Sequence, residues 1–120
     1  AAVTAYPKFW TQGTGARFEI KTDAGGKQMF NLRAANGEVM LTSERYDSLA
    51  AALNGAFSVA EHGLAVARYD FRPATGGGVY LALTATNGQV IATSEVYATA
   101  ESAERARNAI IVLLPKVALL

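Results

Sequence analysis

The side chains best suited to chemistry occur in a four-residue motif that the chain contains twice. Ser-Glu-x-Tyr spans residues 43–46 and returns at residues 94–97. A carboxylate and a phenol presented twice could bind a ligand or a partner. In the alternative interpretation, serine and glutamate satisfy backbone donors where a strand leads into a helix, and the tyrosine ring packs beneath them. Both interpretations concern the same six residues. If the motif binds a ligand or partner, the candidate binding residues are Ser43, Glu44, Tyr46, Ser94, Glu95 and Tyr97.

Catalysis would have to use the motif glutamates or the only histidine, His62. A hydrolase or transferase using Glu44, Glu95 or His62 is therefore the alternative to a binding role. Neither a cysteine nor a second histidine is available for a thiol nucleophile or a zinc site of the usual kind. Residues 25–28, Gly-Gly-Lys-Gln, lack the spacing of a phosphate-binding loop. We therefore predict no catalytic residue, no metal and no cofactor, and a surface or capping role for His62.

The composition is that of a globular protein without a strong charge bias. Of 120 residues, 51% are hydrophobic and 18% are charged, and the formal net charge is +1. A charge this small gives little attraction to nucleic acids or anionic lipids, which disfavours a nucleic-acid site using Tyr80, Arg33 and Lys27. The longest apolar run, Ala109–Leu114, is too short to cross a bilayer. We therefore expect no membrane partner, and because cysteine is absent we expect a cytoplasmic protein.

The chain is a tandem duplication. A shift of 51 positions aligns residues 16–61 with residues 67–112 without a gap. The identical pairs include Arg17/Arg68, Leu32/Leu83, Ala34/Ala85, Asn36/Asn87, Gly37/Gly88, Val39/Val90, Thr42/Thr93, Ser43/Ser94, Glu44/Glu95 and Tyr46/Tyr97. The architecture must therefore hold two copies of one unit.

Each unit begins with three predicted strands. Residues 17–21 alternate polar and apolar side chains, and a glycine-rich turn follows them. The second and third strands flank Asn36-Gly37, a dipeptide that favours a two-residue hairpin loop with φ > 0 at both residues. That loop predicts the opposed pairs Ala34/Val39 and Leu32/Leu41, and in the second unit Ala85/Val90 and Leu83/Ala92.

A helix follows the third strand in each unit. Ser48 and Thr99 stand where an N-cap hydroxyl can accept a hydrogen bond from an orphan backbone N–H. Apolar residues then recur at helical spacing. We expect the first helix to end at Gly63 and the second at Pro115. Short closing strands are expected at residues 64–67 and 116–120.

These elements predict an α+β fold. Two tandem β(3)-α(-β) repeats, residues 16–63 and 64–120, follow an N-terminal extension of residues 1–15. One unit of about 45 residues is below the size that usually folds alone. We therefore expect one domain over residues 1–120, in which the repeats share a core around a pseudo-two-fold axis. A continuous, mostly antiparallel sheet would carry both helices on one face.

Residues 30–44, followed by Tyr46 and Asn54-Gly55, resemble the YegP family of small, duplicated, mostly bacterial proteins. The second copy, residues 87–100, is similar to that family's second repeat. The resemblance implies two β(3)-α-β units in one continuous sheet with exchanged C-terminal strands, and it implies no particular activity. The chain departs from the family pattern in its second helix, which lacks a glycine matching Gly55 and carries Arg107 at a usually apolar position.

We therefore expect a non-enzymatic binding or protein-interaction module. It would be a monomer with an internal pseudo-dimer, or a weak homodimer. A structural subunit of an assembly, built through residues 1–15 or the sheet edge, is a further alternative. Within that segment Tyr6, Phe9 and Trp10 could form an interaction patch, because tryptophan and tyrosine are frequent at binding hot spots, or they could cover the sheet edge. Trp10 is accordingly a seventh candidate binding residue.

Overall fold

The computed structural model of the protein describes residues 15–117. Within that range the first repeat contributes three strands and a helix, and the second repeat contributes the same set. Short 3-10 turns follow each helix. The elements are β1 (Arg17–Thr22), β2 (Gln28–Arg33), β3 (Val39–Ser43), α1 (Leu49–His62), β4 (Tyr69–Pro73), β5 (Val79–Thr84), β6 (Val90–Tyr97) and α2 (Ala100–Leu113).

The strands form one six-stranded antiparallel sheet in the order β1-β2-β3-β6-β5-β4. Within the sheet, the two repeats meet at its centre, where β3 pairs with β6. Thr42 lies opposite Thr93 there, and these are equivalent positions of the two repeats. The pseudo-two-fold axis therefore passes between them, and the α+β fold with two tandem repeats and a continuous antiparallel sheet is confirmed.

Both helices pack on the same face of this sheet. Their apolar stripes join a single core cluster with alternate residues of the strands, as expected for a sheet with one buried face. Phe18, Phe30, Leu32, Leu41, Leu81, Leu83, Val59 and Ile110 are among its fully buried members. The opposite face of the sheet, called the open face below, has no helix of the described chain on it.

The helices begin where the sequence predicts. Ser48 Oγ accepts a hydrogen bond from the Ala51 N–H at 3.1 Å, and Thr99 Oγ1 accepts one from the Ser102 N–H at 3.1 Å. Each hydroxyl thereby satisfies one of the orphan donors of the first turn. No helix within residues 15–117 is long and apolar enough to span a membrane.

The hairpin loops have three residues, so the predicted two-residue loop is wrong. The Gly37 N–H donates to the Ala34 carbonyl at 2.8 Å, and the Ala34 N–H donates to the Glu38 carbonyl at 2.8 Å. Gly37 has φ +90°, the left-handed conformation that follows a type I turn in a three-residue hairpin. Gly88 at φ +86° closes the second hairpin in the same way.

The extra loop residue is matched by an irregularity in each third strand. Leu32 does lie opposite Leu41, but Arg33 rather than Ala34 faces Val39. Met40 is therefore an inserted residue, and the bulge turns its side chain into the core, where it is 7% exposed. The second repeat departs from the prediction in the same way. Leu83 lies opposite Ala92 as predicted, but Thr84 rather than Ala85 lies opposite Val90, and Ile91 is the inserted residue.

The expected closing strand at residues 64–67 is also wrong. A 3-10 turn occupies Val66–Arg68, because the Ala65 and Arg68 N–H groups bond to the carbonyls of His62 and Ala65. Another 3-10 turn occupies Leu114–Lys116, and residues 118–120 lie outside the described range. Strand exchange, which the resemblance implies, is therefore absent at residues 64–67.

The residue after α1, Gly63, is a glycine for a packing reason. Its φ of −69° is right-handed, so the backbone conformation does not require glycine. A Cβ atom would instead lie 2.5 Å from Leu114 Cδ1 and 2.6 Å from the Val59 carbonyl oxygen. Gly63 and Leu114 are equivalent positions, so one repeat supplies the space that the other repeat fills.

Candidate functional site

The two Ser-Glu-x-Tyr motifs lie at a second β-bulge, near the end of the third strand of each repeat. In the second repeat Ala82 lies opposite Thr93, whereas Tyr80 lies opposite Val96. The first repeat shows the same slip, with Gln28 bridged to Tyr46. A bulge of this kind leaves one backbone donor without a ladder partner.

The motif serines fill that gap. Ser43 Oγ accepts a hydrogen bond from the Phe30 N–H at 2.9 Å and donates to the Glu44 carbonyl at 2.6 Å. In the second repeat Ser94 Oγ accepts from the Leu81 N–H at 2.9 Å and donates to the Glu95 carbonyl at 2.7 Å. Both hydroxyls are thereby engaged with the backbone.

The motif tyrosines point toward the helix layer and differ between the repeats. The Tyr46 ring stacks on Phe30, with centroids 6.4 Å apart and planes 8° from parallel, and it lies close against the backbone of Gly55. Ala106 stands at the position equivalent to Gly55. Burial raises the pKa of both Tyr46 and Tyr97, and Tyr97 Oη is buried without a hydrogen-bond partner among the described residues.

The motif glutamates are exposed. Glu95 lines a shallow groove on the open face, beside the pseudo-two-fold axis, with a volume of about 440 Å³. The residues that line this groove, called the axial groove below, are Glu38, Val39, Thr42, Thr93, Ser94 and Glu95. The structure therefore brings Ser94 and Glu95 together with the first hairpin, and leaves Glu44 outside this groove.

The groove floor is polar and lies on the paired threonines. Thr42 Oγ1 donates to Asn31 Oδ1 at 2.9 Å, which fixes its rotamer on the open face. Glu38 and Glu95 flank this floor, and neither makes an ion pair with a residue in the described range. The groove can accept a cationic or hydrogen-bonding group against two carboxylates.

The outer strands of the open face carry ion pairs of their own, and on one edge a single carboxylate, Glu19, faces two cations. Glu19 accepts a hydrogen bond from Arg33 Nε at 2.8 Å and lies 3.5 Å from Lys21 Nζ. The Arg33 hydrogen bond holds the pKa of Glu19 below its ordinary value. On the other edge Arg72 donates to Asp70 at 3.2 Å.

Ion pairs also distinguish the two strand-to-helix corners. In the first repeat Arg45 Nε donates to Asp23 Oδ2 at 2.5 Å, and Lys27 pairs with Asp47. The equivalent four positions in the second repeat are Ala74, Gly78, Val96 and Ala98, which carry no charge. The two motif sites therefore sit in different electrostatic surroundings.

His62 does not join the motif glutamates. Its Nδ1 lies 2.9 Å from the Ser58 carbonyl oxygen and 3.2 Å from Ser58 Oγ, at the end of α1. The axial groove contains neither His62 nor Glu44. Residues 15–117 hold no group of three acidic or histidine side chains placed to bind a metal ion, and Trp10 lies outside the described range.

Sequence reasoning missed Glu38, Val39 and the two threonines. Glu38 sits in a hairpin, far along the chain from Glu95, and the two meet only because β3 pairs with β6. The one available signal was the identity of Thr42 and Thr93 at the middle of the third strand. That identity becomes informative only when the strand is placed beside its own copy.

Comparison with known proteins agrees with this architecture. A family model described as a domain of unknown function (DUF1508) matches residues 23–70 and again residues 74–111. A UPF0339 protein of Pseudomonas aeruginosa is 42% identical over 89 residues, which cover 74% of this chain and 81% of that protein. The UPF0339 protein YegP of Escherichia coli is 41% identical over 87 residues, 72% of this chain and 79% of that protein.

Two solved structures have the same fold. The solution NMR structure of yegP from E. coli, a protein of unknown function, matches with a TM-score of 0.77 at 35% identity and covers 83% of this chain and 86% of that chain. That of a UPF0339 protein from Shewanella oneidensis gives a TM-score of 0.74 at 32% identity, with coverage of 81% and 82%. The family model matches the chain twice, and its relatives are more than 40% identical to it. The chain therefore belongs to the DUF1508 family, and the YegP-like UPF0339 proteins are its relatives.

Proposed function

We propose that the protein is a non-enzymatic binding module whose ligand site is the axial groove. The observation that carries this proposal is the groove's position on the open face, with two exposed and unpaired glutamates beside a polar floor. The serine hydroxyls of the motif bond to the backbone, which supports a structural role for them. We assign ligand binding to Glu95. We assign Ser43, Ser94, Tyr46 and Tyr97 a structural role, in which they hold the strand-to-helix corners.

A hydrolytic role for the same residues receives less support. General acid–base catalysis needs a donor and an acceptor within hydrogen-bonding reach of one reacting group. His62 is engaged with Ser58 at the end of α1, and the groove that contains Glu95 is shallow and open to solvent. Such a surface suits a ligand that lies across the sheet better than a substrate that must be enclosed.

Site-specific photo-crosslinking would test the binding role. A photoreactive amino acid replaces Val39 in the groove, and a matched control carries it at Glu101, exposed on α2. In cells of the native host, we expect Val39-dependent adducts with one or a few polypeptides that the Glu101 control does not give. Adducts should disappear when Thr93→Trp fills the groove. Hydrolysis of ester or phosphate substrates that Glu95→Gln abolishes would contradict the proposal.

A further inference from the structure

We propose that two copies of this chain associate through β1, with the two β1 strands antiparallel and centred on Ile20, so that the sheet continues from one copy into the other. The axial groove lies at β3 and β6, so this inference concerns a different surface and does not rest on the proposed function. Three features of β1 support it: the direction of its backbone groups, its contrast with β4, and the order of its charges.

The backbone of β1 can accept another strand. β1 is one edge of the sheet that the described residues form. The Asp23 N–H donates to the Lys27 carbonyl, toward β2, and the direction of backbone hydrogen bonding alternates from one residue to the next. Thr22 and Ile20 therefore direct their N–H and C=O groups away from β2. Such groups are the ones to which a further strand is added.

The opposite edge strand, β4, is less suited to this pairing. The Ala74 N–H donates to the Gly78 carbonyl, toward β5, so Phe71 and Pro73 direct their backbone outward by the same alternation. Proline has no N–H to donate, and proline on an edge strand is a common protection against pairing. The residue of β1 equivalent to Pro73 is Thr22, so β1 offers an outward donor that β4 lacks.

The charges of β1 are complementary to a second copy of themselves. Positions 17, 19, 21 and 23 are Arg, Glu, Lys and Asp, whose alternating charges sum to zero. With Ile20 opposite Ile20, Glu19 of each copy lies opposite Lys21 of the other. Facing opposite charges stabilise a strand pair, and facing like charges destabilise it. A pair centred on position 19 or 21 would place like charges opposite each other, so the charges select the register at Ile20.

A second copy also suits the way in which these charges are held within one chain. Glu19 faces two cations, with Arg33 Nε at 2.8 Å and Lys21 Nζ at 3.5 Å. Arg33 is held more firmly, because it also donates to the Gly37 carbonyl at 2.6 Å. Lys21, whose side chain is 47% exposed, is the cation left to bind the Glu19 carboxylate of the second copy.

The symmetry of this arrangement favours a dimer over a fibre. An antiparallel pair centred on one residue is a two-fold contact, which closes on itself. The two Ile20 residues would exchange both of their backbone hydrogen bonds, and their side chains, which pack beside the core, would lie next to each other. A contact of one strand pair is small, so we expect a weak dimer that depends on concentration.

Sedimentation velocity of the full chain, over a concentration series from micromolar to millimolar, tests this inference. We expect a reversible monomer–dimer equilibrium. Lys21→Glu places like charges opposite each other on both sides of the two-fold axis and should raise the dissociation constant about tenfold. Arg72→Glu, the equivalent substitution in β4, is the matched control and should leave the dissociation constant unchanged.

Two further variants test the register and the backbone contact. Glu19→Lys should also weaken the dimer, but an equimolar mixture with Lys21→Glu should dimerise again, because every facing pair then has opposite charges. Thr22→Pro copies the edge of β4 and should raise the dissociation constant about tenfold, since it removes an intermolecular donor from each copy. Amide spectra of the variants should report an intact fold.

Several outcomes would overturn the inference. A monomer at every concentration would do so, as would a dimer that Lys21→Glu does not weaken or a variant mixture that stays monomeric. Amide hydrogen exchange adds a separate readout, in which exchange at the Ile20 N–H should slow as the protein concentration rises. Slow exchange in a monomer would show that residues 1–14 cover this edge instead of a second copy. The proposed function would survive each of these results.

Discussion

Two buried tyrosine hydroxyls offer a matched test of how hydrogen bonding of buried polar groups affects the stability of this core. Tyr69 Oη donates to the Gly63 carbonyl at 2.7 Å, and Tyr69 is 6% exposed. Tyr97 Oη is also buried, but it has no partner among residues 15–117. Replacing each tyrosine with phenylalanine removes one oxygen and leaves the ring. The two variants therefore differ in whether the hydroxyl that is lost made a hydrogen bond.

The expected changes have opposite signs. Tyr69→Phe leaves the buried Gly63 carbonyl without this donor, which should lower the free energy of unfolding by about 1–3 kcal/mol. Tyr97→Phe removes a hydroxyl that was taken out of water without compensation, so it should be neutral or raise the free energy of unfolding by about 1 kcal/mol. The two variants should therefore differ by about 1–4 kcal/mol, with about 2 kcal/mol as the central expectation.

Urea unfolding at neutral pH measures this difference. With a denaturant slope of about 1–3 kcal/mol/M for a small protein, the midpoints of the two variants should lie about 1 M apart, with unchanged slopes. A loss of stability above 1 kcal/mol in Tyr97→Phe would show that its hydroxyl has a partner, and the reasoning for that site would be refuted. An unchanged midpoint for Tyr69→Phe would refute the reasoning for the Tyr69 hydroxyl.

Further substitutions probe the corners and the open face. Gly55→Ala should lower the thermal unfolding temperature, because its Cβ would lie 2.6 Å from Tyr46 Cζ and overpacking costs about 1–3 kcal/mol. Ser43→Ala should cost about 1–3 kcal/mol in urea unfolding, since it leaves a buried N–H unpaired, and Ser94→Ala should cost less because its site is more exposed. The pKa of Glu19 is lowered from 4.5, so its stabilising contribution is present above that pH and is lost as the pH falls through the folded-state pKa. Glu19→Gln should therefore flatten the acid limb of a stability–pH profile; an unchanged limb would show that the ion pair contributes nothing.

Local rules were sufficient for the six strands and two helices of this fold, but not for residues 64–67, where the expected closing strand is absent. The tandem repeat, the capping hydroxyls of Ser48 and Thr99 and the Leu32–Leu41 pairing all follow from spacing within one unit. The bulge at Met40 does not, because a two-residue loop and a three-residue loop with a bulge place Leu32 and Leu41 opposite each other equally well. Asn36-Gly37 is compatible with both loops, so the dipeptide could not decide between them.

The site depended on contacts between the repeats, which local patterns do not encode. The roles of Ser43 and Ser94 could be anticipated as backbone partners, because a duplicated corner needs the same solution twice. The contribution of Glu38 could not, since it depends on which strands meet at the centre of the sheet. Pattern reasoning therefore found two of the six residues that line the groove, Ser94 and Glu95, which lie within the repeated motif.

The direct opposition of Thr42 and Thr93 has a consequence for how such a protein can diverge. In an assembly of two identical chains joined at this junction, any substitution beside the axis would appear on both sides at once. Covalent fusion removes that constraint, and the chain already uses the freedom: glutamate at position 38 faces one way and glutamine at position 89 faces the other. A duplicated scaffold can thus keep one repeat for its structural role while the other repeat acquires a specialised surface.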